Sequence, residues 1–200
     1  MSIELKNRET KINLMRAFAG ESQARNRYIF AAGEAQKNKL HVINAVFRFT
    51  ANQEEAHAKV FYDFLKNLNE ENININGVYP LSINKSVAAL LKQSAHNEFE
   101  EYGDVYKNFA ETAQSEGFPE ISAAFQNIAE IEKTHGKRFE KFAELLESNR
   151  LFISDAECKW VCLNCGHIYD GTEAPKICPV CKHDQGFFIR LELAPYTCNS

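Results

Sequence analysis

The chain has 200 residues, 44% of them hydrophobic and 25% charged, with a formal net charge of −4. No apolar run approaches the ~20 residues of a membrane span, and the mild acidity argues against nucleic acid, whose phosphates call for a basic face. The charged start, MSIELKNRETK, has no signal-peptide core, so a cytoplasmic location is expected.

Hydrophobic spacing predicts four long helices. The first covers 9–37, with Leu14, Phe18, Glu21 and Tyr28 on one seam. After a short turn near Asn38, the second covers 40–68 and carries Phe47, Ala51, Glu54, His57, Phe61 and Phe64 at steps of three and four. The stretch NEENININGVYPL (69–81), with Gly77 and Pro80, breaks the pattern and reads as a long crossover. Ser82 is a plausible N-cap for a third helix running to about Glu116, with Val87, Leu91, Ser94, Glu98, Glu101 and Val105 on its seam. Gly117 stops it. Pro119 suits the first turn of a fourth helix, which continues to about Ser148 along Phe125, Ile128, Glu132, His135, Phe139, Phe142 and Leu146.

Two of these seams contain Glu-x-x-His, at Glu54–His57 and Glu132–His135. A single such pair is commonly a surface pair. Here each follows a helix bearing an inward Glu: Glu21 precedes Glu54 by 33 residues, and Glu98 precedes Glu132 by 34. The first 149 residues therefore read as two similar halves, in the ligand order of the di-iron carboxylate bundles: all-α, ferritin-like, with one crossover. Burying Glu21, Glu54, Glu98, Glu101 and Glu132 beside His57 and His135 is costly without cations. Two Fe²⁺ would supply four positive charges against five negative ones. Such ligands suit iron or manganese, and zinc would also bind.

Glu101 breaks the symmetry, because the corresponding place in the first helix is Ala24. It is expected as an extra ligand rather than a solvated edge residue like Glu100, since it stays on the seam. Tyr28, Tyr102 and Tyr106 lie within a turn or two of the ligands. They either pack with satisfied hydroxyls or hydrogen-bond a ligand carboxylate. His41 and His96 read as surface or capping residues, and Glu144 and Glu147 as solvated.

All six cysteines fall within 158–198. The composition changes there, with 150–157 as the expected linker and 158–200 as a second, small domain. Cys162, Cys165, Cys178 and Cys181 form C-x₂-C-x₁₂-C-x₂-C, two knuckles suited to tetrahedral thiolate coordination of zinc or iron. About 40 residues bury little core, so the metal must hold this fold together. Cys158 and Cys198 lie outside the pattern and are expected as free thiols.

Together these motifs resemble rubrerythrin over essentially the whole chain: AFAGESQARNRY around Glu21, NQEEAHAK around His57, NEFEEY around Glu101, EKTHGKRF around His135, and CLNCG…CPVC. The resemblance implies a four-helix di-iron domain followed by a rubredoxin-like FeS₄ domain. Two irons would be held by Glu21, Glu54, His57, Glu98, Glu101, Glu132 and His135, and one iron by the four knuckle cysteines. It implies reduction of hydrogen peroxide to water in an anaerobe or microaerophile, with electrons from an external reductase or rubredoxin linked to NAD(P)H. One iron would exchange between His57 and Glu101 with redox state, and Tyr28 is a candidate proton relay.

Two other functions use the same residues: ferroxidase or oxygen reductase chemistry on the bundle, and a zinc-ribbon interaction protein. The Cys₄ site disfavours the former and the inward carboxylates the latter. A helix of about 30 residues is about 45 Å long, which places the small domain beyond the end of its own bundle. A head-to-tail homodimer, as the resemblance also implies, would bring it to the partner's di-iron site.

Overall fold

The computed structural model describes residues 4–195; Cys198 lies outside them. Helices α1 (Glu9–Lys37) and α2 (His41–Phe64) form one hairpin. Helices α3 (Val87–Glu100), α4 (Tyr106–Ser115) and α5 (Pro119–Glu147) form the other, with the π-helical turn Glu101–Val105 joining α3 to α4. The first hairpin reverses in three residues because Lys39 takes a left-handed φ of 56° and Leu40 N–H donates back to Ala35 O at 3.0 Å.

Three features differ from expectation. Helix α2 stops at Phe64, and a 3₁₀ turn follows over Lys66–Leu68. The third helix begins at Val87 because Ser86, not Ser82, caps it: Ser86 Oγ accepts from Ala89 N–H at 3.3 Å. The crossover therefore covers 65–86. It is tied to α1 where Arg16 donates from Nε to Asn76 O (2.9 Å) and from Nη2 to Asn76 Oδ1 (2.6 Å).

The π turn is the third difference. Each π turn inserts one residue into the helical ladder, so the buried face slips by one. Beyond Glu98 the buried positions are Tyr106, Ala110 and Ala113, while Val105, expected on the seam, is exposed. This is the extra residue in the second spacing. Glu21 stands 16 residues before the end of α1 at Lys37, and Glu98 stands 17 before the end of α4 at Ser115.

The bundle core is split. One apolar cluster contains Tyr28, Val42, Phe47, Leu91, Phe139 and Phe142. The other contains Leu14, Phe61, Tyr106, Ile121 and Phe125. The buried Glu and His residues sit on the same helices between them.

After α5 the chain forms an antiparallel sheet of order β2-β1-β3, from β1 (Ile153–Cys162), β2 (Ile168–Glu173) and β3 (Phe188–Arg190). Strand β1 starts inside the segment read as linker, so only a few residues separate helix from sheet. Trp160, Ala174 and Phe188 pack there with Cys162 and Cys178. Leu151 and Ile189 join the first bundle cluster, so the sheet domain abuts the α1–α2 end of its own bundle.

His41 belongs to this junction rather than to the open surface: its ring stacks on Phe187 at 3.9 Å. His96 is exposed beside Glu100, as expected. Gly186 lies so close to the hairpin turn that a Cβ there would fall 1.9 Å from Lys39 O, a backbone atom that cannot swing aside. Gly186→Ala is therefore expected to loosen the junction while leaving the bundle folded. Limited proteolysis should cut between α5 and β1 much faster in the variant, with unchanged helical circular dichroism.

Candidate metal centres

The bundle site is built from four helices in the predicted order. Glu21 comes from α1, Glu54 and His57 from α2, Glu98 from α3, and Glu132 and His135 from α5; all are buried. They form two groups whose ligand atoms lie within 4.8 Å of one another: Glu21, Glu54, His57 and Glu132, and Glu54, Glu98, Glu132 and His135. Glu54 and Glu132 belong to both, as carboxylates bridging two ions would. His57 Nδ1 is 3.1 Å from Glu54 Oε2 and 2.9 Å from Glu132 Oε1. His135 Nδ1 is 3.0 Å from Glu54 Oε1 and 2.8 Å from Glu132 Oε2. The two rings face each other at 5.6 Å.

Whether metal fits can be decided from the hydrogen bonds. Buried Glu21 Oε2, Glu54 Oε1, Glu98 Oε2, both Glu132 oxygens and His135 Nδ1 have no hydrogen-bond partner. The short Nδ1–carboxylate distances at His135 thus lack hydrogen-bond alignment. On the far side of that ring, Nε2 is 3.1 Å from Gln53 Oε1, which also accepts from Arg138 Nη1 at 3.0 Å. Arginine can only donate, so the amide oxygen faces this way and Nε2 carries the proton. Metal loading leaves Nδ1 as a bare lone pair aimed at carboxylate oxygens. Only cations reconcile acceptors converging on acceptors, so the residues fit a pair of metal ions.

Glu101 is the predicted ligand outside both groups. It is half-buried in the π turn and lines a cleft of about 630 Å³ with Arg16, Gly20, Tyr79 and Asn97. Burial, then the charges of Glu132 and Glu54, raises its carboxyl to about 8.

The tyrosines separate into two kinds. Tyr28 donates to Glu98 Oε1 and Tyr106 to Glu21 Oε1, each reaching across to the other hairpin. Tyr102 instead accepts from Lys133 Nζ at 2.9 Å. Gln53, Arg138 and Thr50 escaped the sequence reading. The available signal was the run Thr50, Gln53 and His57 at steps of three and four, which sets two more polar side chains on the histidine's side of α2.

In the small domain the knuckles repeat one another. Gly166 N–H donates to Cys162 O (2.8 Å) and Lys182 N–H to Cys178 O (3.0 Å), with left-handed φ of 76° at Gly166 and 64° at Lys182. Cys162 Sγ lies 3.7 Å from Cys181 Sγ, as does Cys165 Sγ from Cys178 Sγ. Metal–sulfur bonds near 2.3 Å in a tetrahedron give an edge of about 3.8 Å, so the cage is already metal-sized. The His183 N–H holds the Cys181 thiol down, to about 5, while burial pushes Cys162 up to about 12. Cys158 is half-buried and outside the cage.

The Rubrerythrin family profile matches residues 13–150, and that of the rubrerythrin rubredoxin-like domain matches 160–189. The chain belongs to the rubrerythrin family. It is 44% identical to rubrerythrin-1 of Clostridium acetobutylicum, over 92% of this chain and 95% of that protein. It is 41% identical to the rubrerythrin of Nitratidesulfovibrio vulgaris, over the same shares. Fully reduced nigerythrin superposes with a TM-score of 0.62 at 24% identity, covering 93% of this chain and 91% of that one. Desulfovibrio desulfuricans bacterioferritin does so with 0.62 at 20% identity, covering 71% and 82%. These structural likenesses establish the ferritin-like fold. Rubrerythrins carry a di-iron carboxylate site, so the cofactors are two irons in the bundle and one in the FeS₄ site. No described helix is long and apolar enough to cross a membrane.

Stripped of metal, the bundle site should make stability fall as pH rises. Glu101 contributes through its protonated form below 4.5 and loses that contribution as pH rises through about 8. His57 is lowered by burial but raised more by Glu132 and Glu54, to about 9, so its contribution is lost between 6.5 and about 9. Glu132 is raised by burial but lowered more by the two histidines, to about 2, so it is constant across this window. The melting temperature of the metal-free protein is expected to drop from pH 5.5 to 8.5. The iron-loaded protein should move the opposite way, since metal binding favours deprotonated ligands. Differential scanning calorimetry of both forms at the two pH values checks this.

Proposed function

We propose that this protein is a peroxidase: hydrogen peroxide, two electrons and two protons give two waters. The observation that carries this reading is the pairing on one chain of two metal foci sharing Glu54 and Glu132 with a separate four-thiolate cage. A di-iron pair supplies two electrons together and Lewis acidity toward the leaving oxygens. We assign its ligands to Glu21, Glu54, His57, Glu98, Glu101, Glu132 and His135. Glu54 and Glu132, which belong to both groups, would be shared by the two irons, and His135 would hold the second. Glu101, beside the cluster, would be the ligand that exchanges with His57. Tyr28 and Tyr106 donate hydrogen bonds to Glu98 and Glu21, and a ligand carboxylate or Tyr28 would relay the protons. Cys162, Cys165, Cys178 and Cys181 hold the centre that takes electrons singly from an external reductase or rubredoxin, ultimately from NAD(P)H.

Rapid mixing tests this directly. The chemically reduced protein should oxidise much faster with hydrogen peroxide than with dioxygen; a faster reaction with dioxygen would make it an oxidase. Glu101→Ala should retain iron and fold but slow the peroxide step. A wild-type rate would remove Glu101 from the ligand set.

We also propose a head-to-tail homodimer in which electrons cross between subunits. The sheet domain meets its own bundle at His41, and 13 residues of α2 separate His41 from Glu54. At 1.5 Å per residue that is about 20 Å along the helix alone, which supports delivery to the partner's site instead. A mixed dimer of one Cys162→Ser, Cys165→Ser subunit and one Glu54→Ala, His57→Ala subunit should keep measurable peroxidase activity. Inactivity, with both intact sites holding iron, would place the transfer within one subunit.

A further inference from the structure

Helices α2 and α5 align by sequence with an offset of 78: Glu54 on Glu132, His57 on His135. Beside His135 stands a polar brace. Gln53 Oε1 accepts from His135 Nε2 at 3.1 Å and from Arg138 Nη1 at 3.0 Å, and the same Arg138 nitrogen donates to Thr50 Oγ1 at 3.0 Å. Thr50 in turn donates to Val46 O at 3.1 Å, and the guanidinium lies 5.1 Å from the Phe49 ring centre. Applying the offset to Thr50, Gln53 and Arg138 gives Ile128, Ile131 and Val60. All three counterparts are apolar, and Ile131 and Val60 are each 39% exposed. Among the described residues no side chain braces Nε2 of His57; its hydrogen bonding runs through Nδ1 to Glu54.

We propose that Gln53 and Arg138 are positioning residues that lock His135 on its metal, and that the lack of a counterpart brace is why His57, rather than His135, is the more loosely held histidine. An imidazole whose second N–H is held keeps its ring orientation and is the more basic ligand. Arg138 matters because it turns the Gln53 amide oxygen toward the ring. Without a donor there, the amide can rotate and present its NH₂, which cannot accept from Nε2–H. The inference rests on the reading that two irons occupy the bundle, but not on the substrate.

The test therefore reads metal rather than turnover. Fe²⁺ loss from the chemically reduced protein to an excess chelator is followed in time, with the thiolate-held iron counted separately by its visible absorption. The wild type should lose bundle iron in a fast and a slow phase. Gln53→Leu should accelerate the slow phase about 10–100-fold, the usual effect of losing such a partner, and leave the fast phase unchanged. Gln53→Glu, which keeps the acceptor, should restore the slow phase. Arg138→Met should accelerate it as Gln53→Leu does, giving a second route if that variant folds poorly. A single phase in the wild type, a slow phase within twofold of wild type in Gln53→Leu, or equal acceleration in Gln53→Leu and Gln53→Glu would each overturn the proposal. Loss of peroxidase activity with these phases intact would count against the peroxidase reading alone.

Discussion

The interior of the bundle is organised around acceptors with nothing to accept from. Carboxylate oxygens from four helices and the Nδ1 atom of His135 converge without donors between them, in a layer that separates two apolar clusters. In a low-dielectric interior an unpaired polar atom costs about 1–3 kcal/mol, and more when charged. The layer is therefore among the least favourable parts of the fold without metal and a strong binding site with it. Without metal, protons are the only substitute. Burial lowers His135, but Glu132, Glu54 and Glu98 outweigh it and raise it to about 12, while Glu21 and Glu98 are pushed well above the usual carboxylate range, mainly by burial. Iron displaces protons that the folded chain would otherwise have to hold.

Much of this was legible in the sequence because metal ligands must stand at helical spacing on an inward seam, and few other demands put Glu and His there. The helices, the paired Glu-x-x-His motifs and the two cysteine knuckles came from that constraint. What escaped is also physical. A π turn changes no residue type; its sequence trace was the single extra residue between Glu98 and Glu132, which fixes neither where the ladder widens nor that Tyr106 replaces Val105 on the buried face. Ser82 and Ser86 are equally good caps by chemistry, and only the packing of Val87 and Leu90 chooses between them. Gln53 and Arg138 lie apart in sequence and meet only because α2 and α5 are neighbours. His41 looked like a surface histidine because its partner, Phe187, comes from the other domain.

Glu101 stands at the start of the same turn, three residues after Glu98, so it keeps the helical seam beside the cluster, half-buried and facing a cleft. A regular helix would carry that seam on to Val105; after the widened ladder the helix resumes with Tyr106 inward instead. The asymmetry between the halves is thus double: a carboxylate at Glu101 where the first half has Ala24, and a brace for only one of the two histidines. Both features break the near symmetry of the surrounding helices.

The tyrosines preserve that symmetry. Tyr28 on α1 reaches Glu98 on α3, and Tyr106 on α4 reaches Glu21 on α1. This reciprocity, in which each half lends the other the same group, is the contact pattern of an isologous interface between two identical subunits, here enclosed within one chain. Neither hairpin can complete its own ligand environment alone. The crossover over 65–86 contributes no ligand to either metal group and serves mainly to hold the halves at high effective concentration. A chain built this way has the interior of a dimer of hairpins, and such a dimer could have assembled the same centre before any peptide joined its halves.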